Sequence, residues 1–256
     1  MHPARPEGQA GQARQAGGSR PEGGSWTGQV PQPRQAPAAE GYAAMMFDLA
    51  AISPTDGYKL IVSTVVPRPI AWVTTMDKDG VVNAGAFSFF NAVASNPMVV
   101  ALGIGPKGSG VKDTGENIRA TGEFVVNLVS EETAERMNIT AIDFPAGFDE
   151  LAEAGLTQVP SGKVRPPRIA ESPVSLECRT HTIVGVGKHA VVLGEVLAVW
   201  VRDDCVLDAA KFYVDTPKLG LIGRMHGAGW YARTTDRMLM ERIKLDEWQA
   251  KKSAAE

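Results

Sequence analysis

The chain has 256 residues, 44% of them hydrophobic and 21% charged, values that fit a globular protein and not a fibrous or wholly disordered one. A formal net charge of −3 supplies no basic field for nucleic acid or an anionic membrane, and no apolar run approaches the roughly 18–20 residues that a membrane span needs. Two cysteines, Cys178 and Cys205, lie in apolar, strand-like surroundings; they are too few for a disulfide scaffold and read as reduced core thiols of a cytoplasmic protein.

Residues 1–41 are rich in Gly, Pro, Gln, Ala and Arg and hold no Leu, Ile or Phe. Such a stretch cannot bury enough surface to offset its ordering entropy, so it reads as a disordered extension. It lacks the apolar segment of a secretory signal, and Glu7, Glu22 and Glu40 interrupt the arginines that a transit peptide would carry. An alternative is that translation starts at Met45 or Met46 and the residues before them are a start-site artefact.

The folded domain is expected over residues 42–240. Residues 48–54 read as a turn or short helix, and 56–61 as a further helical turn. Pro67-Arg68-Pro69 favours extended backbone. Residues 70–75 form a strand, Asp77-Lys78-Asp79-Gly80 a hairpin turn whose Asp-Gly suits positive φ, and residues 82–89 the return strand. Residues 98–104 read as a strand buried on both faces. A helix follows from 113 to Gly122, with Asp113 at the N-cap and Glu116 as its capping-box partner. Residues 124–128 are another strand, and Ser130-Glu131-Glu132-Thr133 starts a second helix with acids at its positive end. A short helix at 147–155, a proline-rich loop at 160–173 and two long strands at 174–184 and 190–201 come next. Residues 236–248 are expected as a helix packed on the body, with 241–256 a tail that frays at its end. So many β runs with few helices favour a barrel over a doubly wound sheet.

The chain has no Walker loop and no Gly-x-Ser-x-Gly elbow, and none of His2, His181, His189 or His226 is spaced to share a zinc ion. Asp143, Asp149 and Glu150 fall close together and read as a solvated helix region. What remains is a cluster of small and hydroxyl residues, from Trp72-Val73-Thr74-Thr75 to the run Asn83 through Asn91. Small residues there let a flat ligand approach the backbone, with Ser88 bonding its edge; the same pattern would equally fill a barrel interior. Lys112-Asp113-Thr114 joins an ammonium, a hydroxyl and a helix N-terminus, which suits a phosphate and also suits a plain surface cap.

Taken together, Arg68-Pro69-Ile70-Ala71-Trp72-Val73-Thr74-Thr75, the Asp-Gly turn, Asn83 to Asn91 and Lys112-Asp113-Thr114-Gly115-Glu116-Asn117-Ile118 resemble the flavin-reductase-like, FMN-binding split-barrel family. The likeness continues through Gly122 to Leu128 and resumes at Leu176-Glu177-Cys178, Gly194-Glu195-Val196 and Gly223-Arg224-Met225. It covers all but the N-terminal extension and the last positions. The resemblance implies a mainly β, Greek-key split β-barrel with a few flanking helices, forming a homodimer with FMN, less often FAD, at the interface. It assigns Trp72, Thr74, Thr75, Asn83, Phe87, Ser88 and Asn91 to the flavin wall, and Lys112 and Thr114 to the phosphate. It names no acid or base. The implied activity is an FMN-dependent oxidoreductase of the NAD(P)H:flavin reductase type, with NADH or NADPH as donor and a monooxygenase or other electron acceptor as partner. Alternatives are an enzyme that keeps its FMN and acts on a small organic substrate, a flavoredoxin-like electron carrier, and a structural or storage barrel.

Two departures from the family pattern stand out. Gly187-Lys188-His189 replaces a Gly-Asp-His associated with nicotinamide use, and Gly85 stands in the stretch where a proline often precedes Phe-Ser-Phe. His189 is a candidate for the flavin or nicotinamide side. The glycine-rich segment 220–231 is either a cover over the flavin, with Arg224 or His226 meeting an anionic substrate, or a loop that closes the barrel.

Overall fold

The computed structural model describes residues 44–107, 110–145, 148–227 and 229–254, so the expected disorder of residues 1–41 lies outside the described residues. The chain divides into two units, Met1–Phe47 and Asp48–Glu256. In the first, residues 44–47 form no regular element. The second opens with helix α1 (Pro54–Thr64), longer than the turn expected at 56–61. Ser53 Oγ accepts the Asp56 N–H, and Pro54 occupies a first-turn position where no N–H is required.

The expected hairpin forms from β1 (Ala71–Met76) and β2 (Val82–Phe87), with Met76 opposite Val82 and Gly80 at φ 89° in the turn. Its return strand stops at Phe87, not at residue 89. Ser88 and Phe89 then carry the chain into β3 (Phe90–Ser95), which pairs with β4 (Met98–Ile104) and not with β2. Helix α2 (Asp113–Thr121), β5 (Glu123–Leu128), α3 (Ala134–Ile139), α4 (Glu150–Glu153), β6 (Val174–Val186) and β7 (His189–Val201) follow.

These strands make one seven-stranded antiparallel sheet in the order β2-β1-β5-β6-β7-β4-β3. Its two edge strands, β2 and β3, are consecutive in the chain, with only Ser88 and Phe89 between them. So short a link brings the edges together and curls the sheet into a barrel, which leaves few open edges. The Gly103 N–H donates to the Phe89 carbonyl at 2.7 Å along this seam, and a Cβ on Gly103 would lie 2.9 Å from that of Phe89.

Val73, Phe87, Leu102, Phe124 and Val192 fill the interior, joined by Ile118 of α2. Gly194 is needed there, because a Cβ would run into the Phe124 ring. A second core on the outer side of the hairpin joins Trp72 and Ala84 to Met137 of α3, Leu151 of α4, Ile169 and Ile222. Cys178 and Cys205 are buried and unpaired, and burial pushes the Cys178 thiol up to about 12, with Glu177 adding to the shift.

Several expectations need correction. The N-cap of α2 is Lys112, not Asp113, which is the first helical residue; Gly122 ends the helix at φ 73° as expected. The proline-rich loop carries a two-stranded pair, Gln158–Val159 with Arg168–Ile169. It is tied to β6 by Glu177, which accepts the N–H groups of Gly162 and Lys163. A small sheet joins Arg68–Pro69, Ile222–Arg224 and Tyr231–Arg233, so the glycine-rich segment contains a hairpin. The tail helix is α5 (Leu245–Ser253), and none of its residues is buried. Leu245 and Trp248 are too few for an apolar stripe, so the helix does not pack on the barrel as expected.

Candidate functional site

The start of α2 lies against the edge strand β2, and the gap between them is a half-open cleft. Ala84, Gly85, Ala86 and Phe87 form one wall and Lys112 to Thr114 another. The approach is close at Gly85, where a Cβ would lie 3.0 Å from Thr114 Oγ1 and 3.3 Å from the Phe87 ring. Thr114 Oγ1 accepts from Asn83 Nδ2 at 2.9 Å, which leaves its own O–H free to point elsewhere. The Lys112 ammonium lies 5.4 Å from the centre of the Phe87 ring, and its side chain makes no capping bond.

A second open cavity, of about 270 Å³, shares Ala86, Phe87 and Ala141 with the first. Ser88, Tyr58, Arg224 and Tyr231 line it. The two adjoin as a groove along β2 with Lys112 at one end and Arg224 at the other. Small side chains, an aromatic ring and a cation beside a helix N-terminus suit a flat ligand with an anionic end.

Glu150, Asp113 and Asp143 also line the Lys112 end. Glu150 does not lie in a solvated region: it is 8% exposed, and its carboxylate accepts the Ala84 N–H at 3.3 Å. Leu151 anchors α4 in the outer core, and that brings its neighbour Glu150 against the backbone of β2. Burial pushes the Glu150 pKa up, and the charges of Asp113 and Asp149 push the same way against two backbone hydrogen bonds.

The other sequence candidates are distributed as follows. Trp72, Thr74 and Thr75 are fully buried and line neither cavity. The Trp72 indole donates to Thr140 Oγ1 at 2.8 Å, Thr74 donates to the Pro167 carbonyl, and Thr75 accepts from Asn117 Nδ2 at 3.1 Å. Asn91 is exposed on β3, where its side chain accepts the Ala92 N–H. His189 is exposed beside Gly105, and His226 is exposed with its ring 5.7 Å from that of Trp230. The groove therefore gathers Asn83, Phe87, Lys112 and Thr114, with Ser88 and Arg224 in the adjoining cavity, and leaves Asn91, His189 and His226 apart from it.

Sequence reasoning missed Arg68, which is 6% exposed. Its guanidinium donates to the carbonyls of Val62, Val65 and Met225 at 2.7–2.8 Å and to Ser88 Oγ at 3.4 Å. It also passed over Gly103-x-Gly105, the start of a dinucleotide-loop spacing. Here Gly103 serves the barrel seam and Gly105 gives room to the His189 ring, so no strand–helix phosphate loop is built on these two glycines.

The model of the flavin reductase like domain matches residues 62–216. An uncharacterized protein of Deinococcus radiodurans is 43% identical over 215 residues, 82% of this chain and 95% of its own length. Among solved structures, the 2-nitrobenzoate 2-nitroreductase NbaA of Pseudomonas fluorescens is 31% identical at a TM-score of 0.72, with 78% of this chain and 98% of that one covered. Nitrilotriacetate monooxygenase component B of Bacillus cereus is 28% identical at a TM-score of 0.72, with 78% and 100% covered.

Proposed function

Because the chain belongs to the flavin-reductase-like family, we propose that it is an FMN-dependent oxidoreductase that takes electrons from NADH or NADPH and passes them to free flavin or to a partner enzyme. The observation that carries this reading is the groove along β2, a wall of small residues leading to a lysine at a helix N-terminus. A flavin bound there supplies hydride acceptance at its ring and onward electron transfer.

The chain's own residues bind, orient and shield. Lys112 and the first turn of α2 hold the phosphate, and Asn83 fixes the Thr114 hydroxyl so that its O–H turns to the ligand. Ala84, Gly85 and Ala86 let the ligand lie close to the strand, and Phe87 excludes water beside it. Arg68 donates to Ser88 Oγ, which directs the Ser88 O–H outward as a donor to the flavin edge. Trp72, Thr74 and Thr75 keep their place in this reading as supports, bonded behind the wall to Thr140, Pro167 and Asn117.

The proposal includes a homodimer with the flavin at its interface, and a cytoplasmic setting. Support for the dimer comes from the exposed apolar side chains of Met238, Leu239 and Met240 and of Phe89 and Val93 at the barrel seam, which a second copy would cover. Asn91 and His189, exposed on this chain, would then be available at that interface. Two buried, unpaired cysteines suit a reducing compartment, and among the described residues no helix is long and apolar enough to cross a membrane. The similarity to a protein named as a monooxygenase component supports a monooxygenase as partner.

A second reading, an enzyme that retains FMN and reduces a small organic substrate, is favoured by the 31% identity to a protein named as a nitroreductase and by Arg224 in the groove. Steady-state oxidation of NADH and NADPH with and without added FMN separates the two. Turnover that rises with free FMN supports the reductase. Turnover that needs an organic acceptor and ignores free FMN supports the second reading. The absence of both activities contradicts each of them.

A further inference from the structure

We propose that the cavity at the Arg224 end of the groove is an anion-binding subsite that takes a small aromatic carboxylate. Arg68 and Arg224 are direct cross-strand partners in the small sheet. Like charges directly opposite destabilise a sheet unless something compensates them. Among the described residues neither guanidinium forms an ion pair. Arg68 spends its N–H groups on neutral acceptors, the carbonyls of Val62, Val65 and Met225 and the Ser88 hydroxyl. Burial holds its pKa below the ordinary arginine value, and the Arg224 charge pushes the same way while Tyr58 opposes. Arginine stays charged under such a shift, so Arg68 is a fixed positive charge behind Arg224.

Arg224 is the outer member of the pair and lines the cavity. Its guanidinium lies over the Tyr231 ring, 4.7 Å from the ring centre, and makes no hydrogen bond among the described residues. The contact with the ring limits the motion of the fork, and its N–H groups match the two oxygens of a carboxylate. The rings of Tyr58, Phe87 and Tyr231 line the cavity beside Arg224, together with the polar side chains of Ser88 and Asn138, and three rings around one guanidinium suit a flat ring attached to the anion. The part this anion plays as a reactant rests on the oxidoreductase reading; its binding does not.

The test is calorimetric titration of the full chain with benzoate, its neutral analogue benzamide, and inorganic phosphate, using wild type, Arg224→Gln and Arg224→Lys. FMN and riboflavin binding are followed in parallel by flavin fluorescence. Benzoate is expected to bind about tenfold or more tightly than benzamide, as a charge-assisted bidentate contact requires. Arg224→Gln should abolish that preference, Arg224→Lys should keep part of it, and phosphate should not displace benzoate at equal concentration. The wild-type comparison needs no variant to fold. Equal binding of benzoate and benzamide, or an unchanged preference in Arg224→Gln, overturns the proposal. So does a loss of FMN but not riboflavin binding in Arg224→Gln, which would give the guanidinium to the flavin phosphate. If wild type selects benzoate but binds no flavin, the subsite stands and the oxidoreductase reading fails.

Discussion

Replacing Lys112 by Ala isolates the charge that the proposed phosphate site depends on. Lys112 caps α2 through its backbone alone, accepting the N–H groups of Gly115 and Glu116, so the substitution leaves the cap in place. An ammonium and a phosphate about 4 Å apart attract by about 4 kcal/mol at an effective dielectric near 20. Desolvation of the half-buried lysine takes back part of that. A net of about 1.5–2 kcal/mol remains, or roughly ten- to thirtyfold in FMN affinity. Riboflavin has the same ring and ribityl chain without the phosphate, so its affinity should change less than about twofold. Fluorescence quenching titrations of both ligands against wild type and variant read the difference. Equal losses for FMN and riboflavin would remove Lys112 from the phosphate and place its effect in the fold.

Three other outcomes are expected. Ser88→Ala should weaken flavin binding by about 1 kcal/mol and shift the bound absorbance, since one neutral hydrogen bond is lost; an unaltered spectrum and affinity would take Ser88 out of the site. Gly194→Ala drives a methyl into the buried Phe124 ring and should cost about 2 kcal/mol in urea unfolding, partly recovered by adding Phe124→Leu; additive losses would show that the two sites do not collide. Glu150 has a raised folded-state pKa, so its contribution is intact below the ordinary glutamate range and is lost as pH climbs through the raised value. Glu150→Gln should therefore gain thermal stability over wild type in mildly alkaline buffer and lose that advantage in acid; a difference independent of pH would contradict the burial argument.

How much of this is legible in the sequence depends on how local the cause is. The hairpin over β1 and β2 is legible because alternation and Asp-Gly act within a few residues, and Gly122 is legible as a helix end because only a left-handed residue stops α2 there. The break at Ser88 is not legible. Residues 82–89 and 90–95 carry strand-forming composition without a turn signal between them, and the switch from one sheet edge to the other follows from barrel closure. Trp72 looked like a flavin wall because it is aromatic and flanked by hydroxyls; its indole instead meets Thr140, a partner 68 residues away. Arg68 and Glu150 were missed for the same reason. A guanidinium that clasps the carbonyls of Val62, Val65 and Met225, and a carboxylate held on the β2 backbone, depend on long-range packing that no local pattern encodes.

Anaerobic mixing with NADH and with NADPH, with the flavin that survives a desalting column measured in parallel, tests the functional reading most directly. Bleaching of the flavin absorbance by at least one pyridine nucleotide, faster than any decay in its absence, is the expected result. The retained fraction then separates flavin held as a cofactor from flavin released as a product. Bound flavin that neither nucleotide bleaches would contradict the proposed reductase and leave an electron carrier or an enzyme with a different donor.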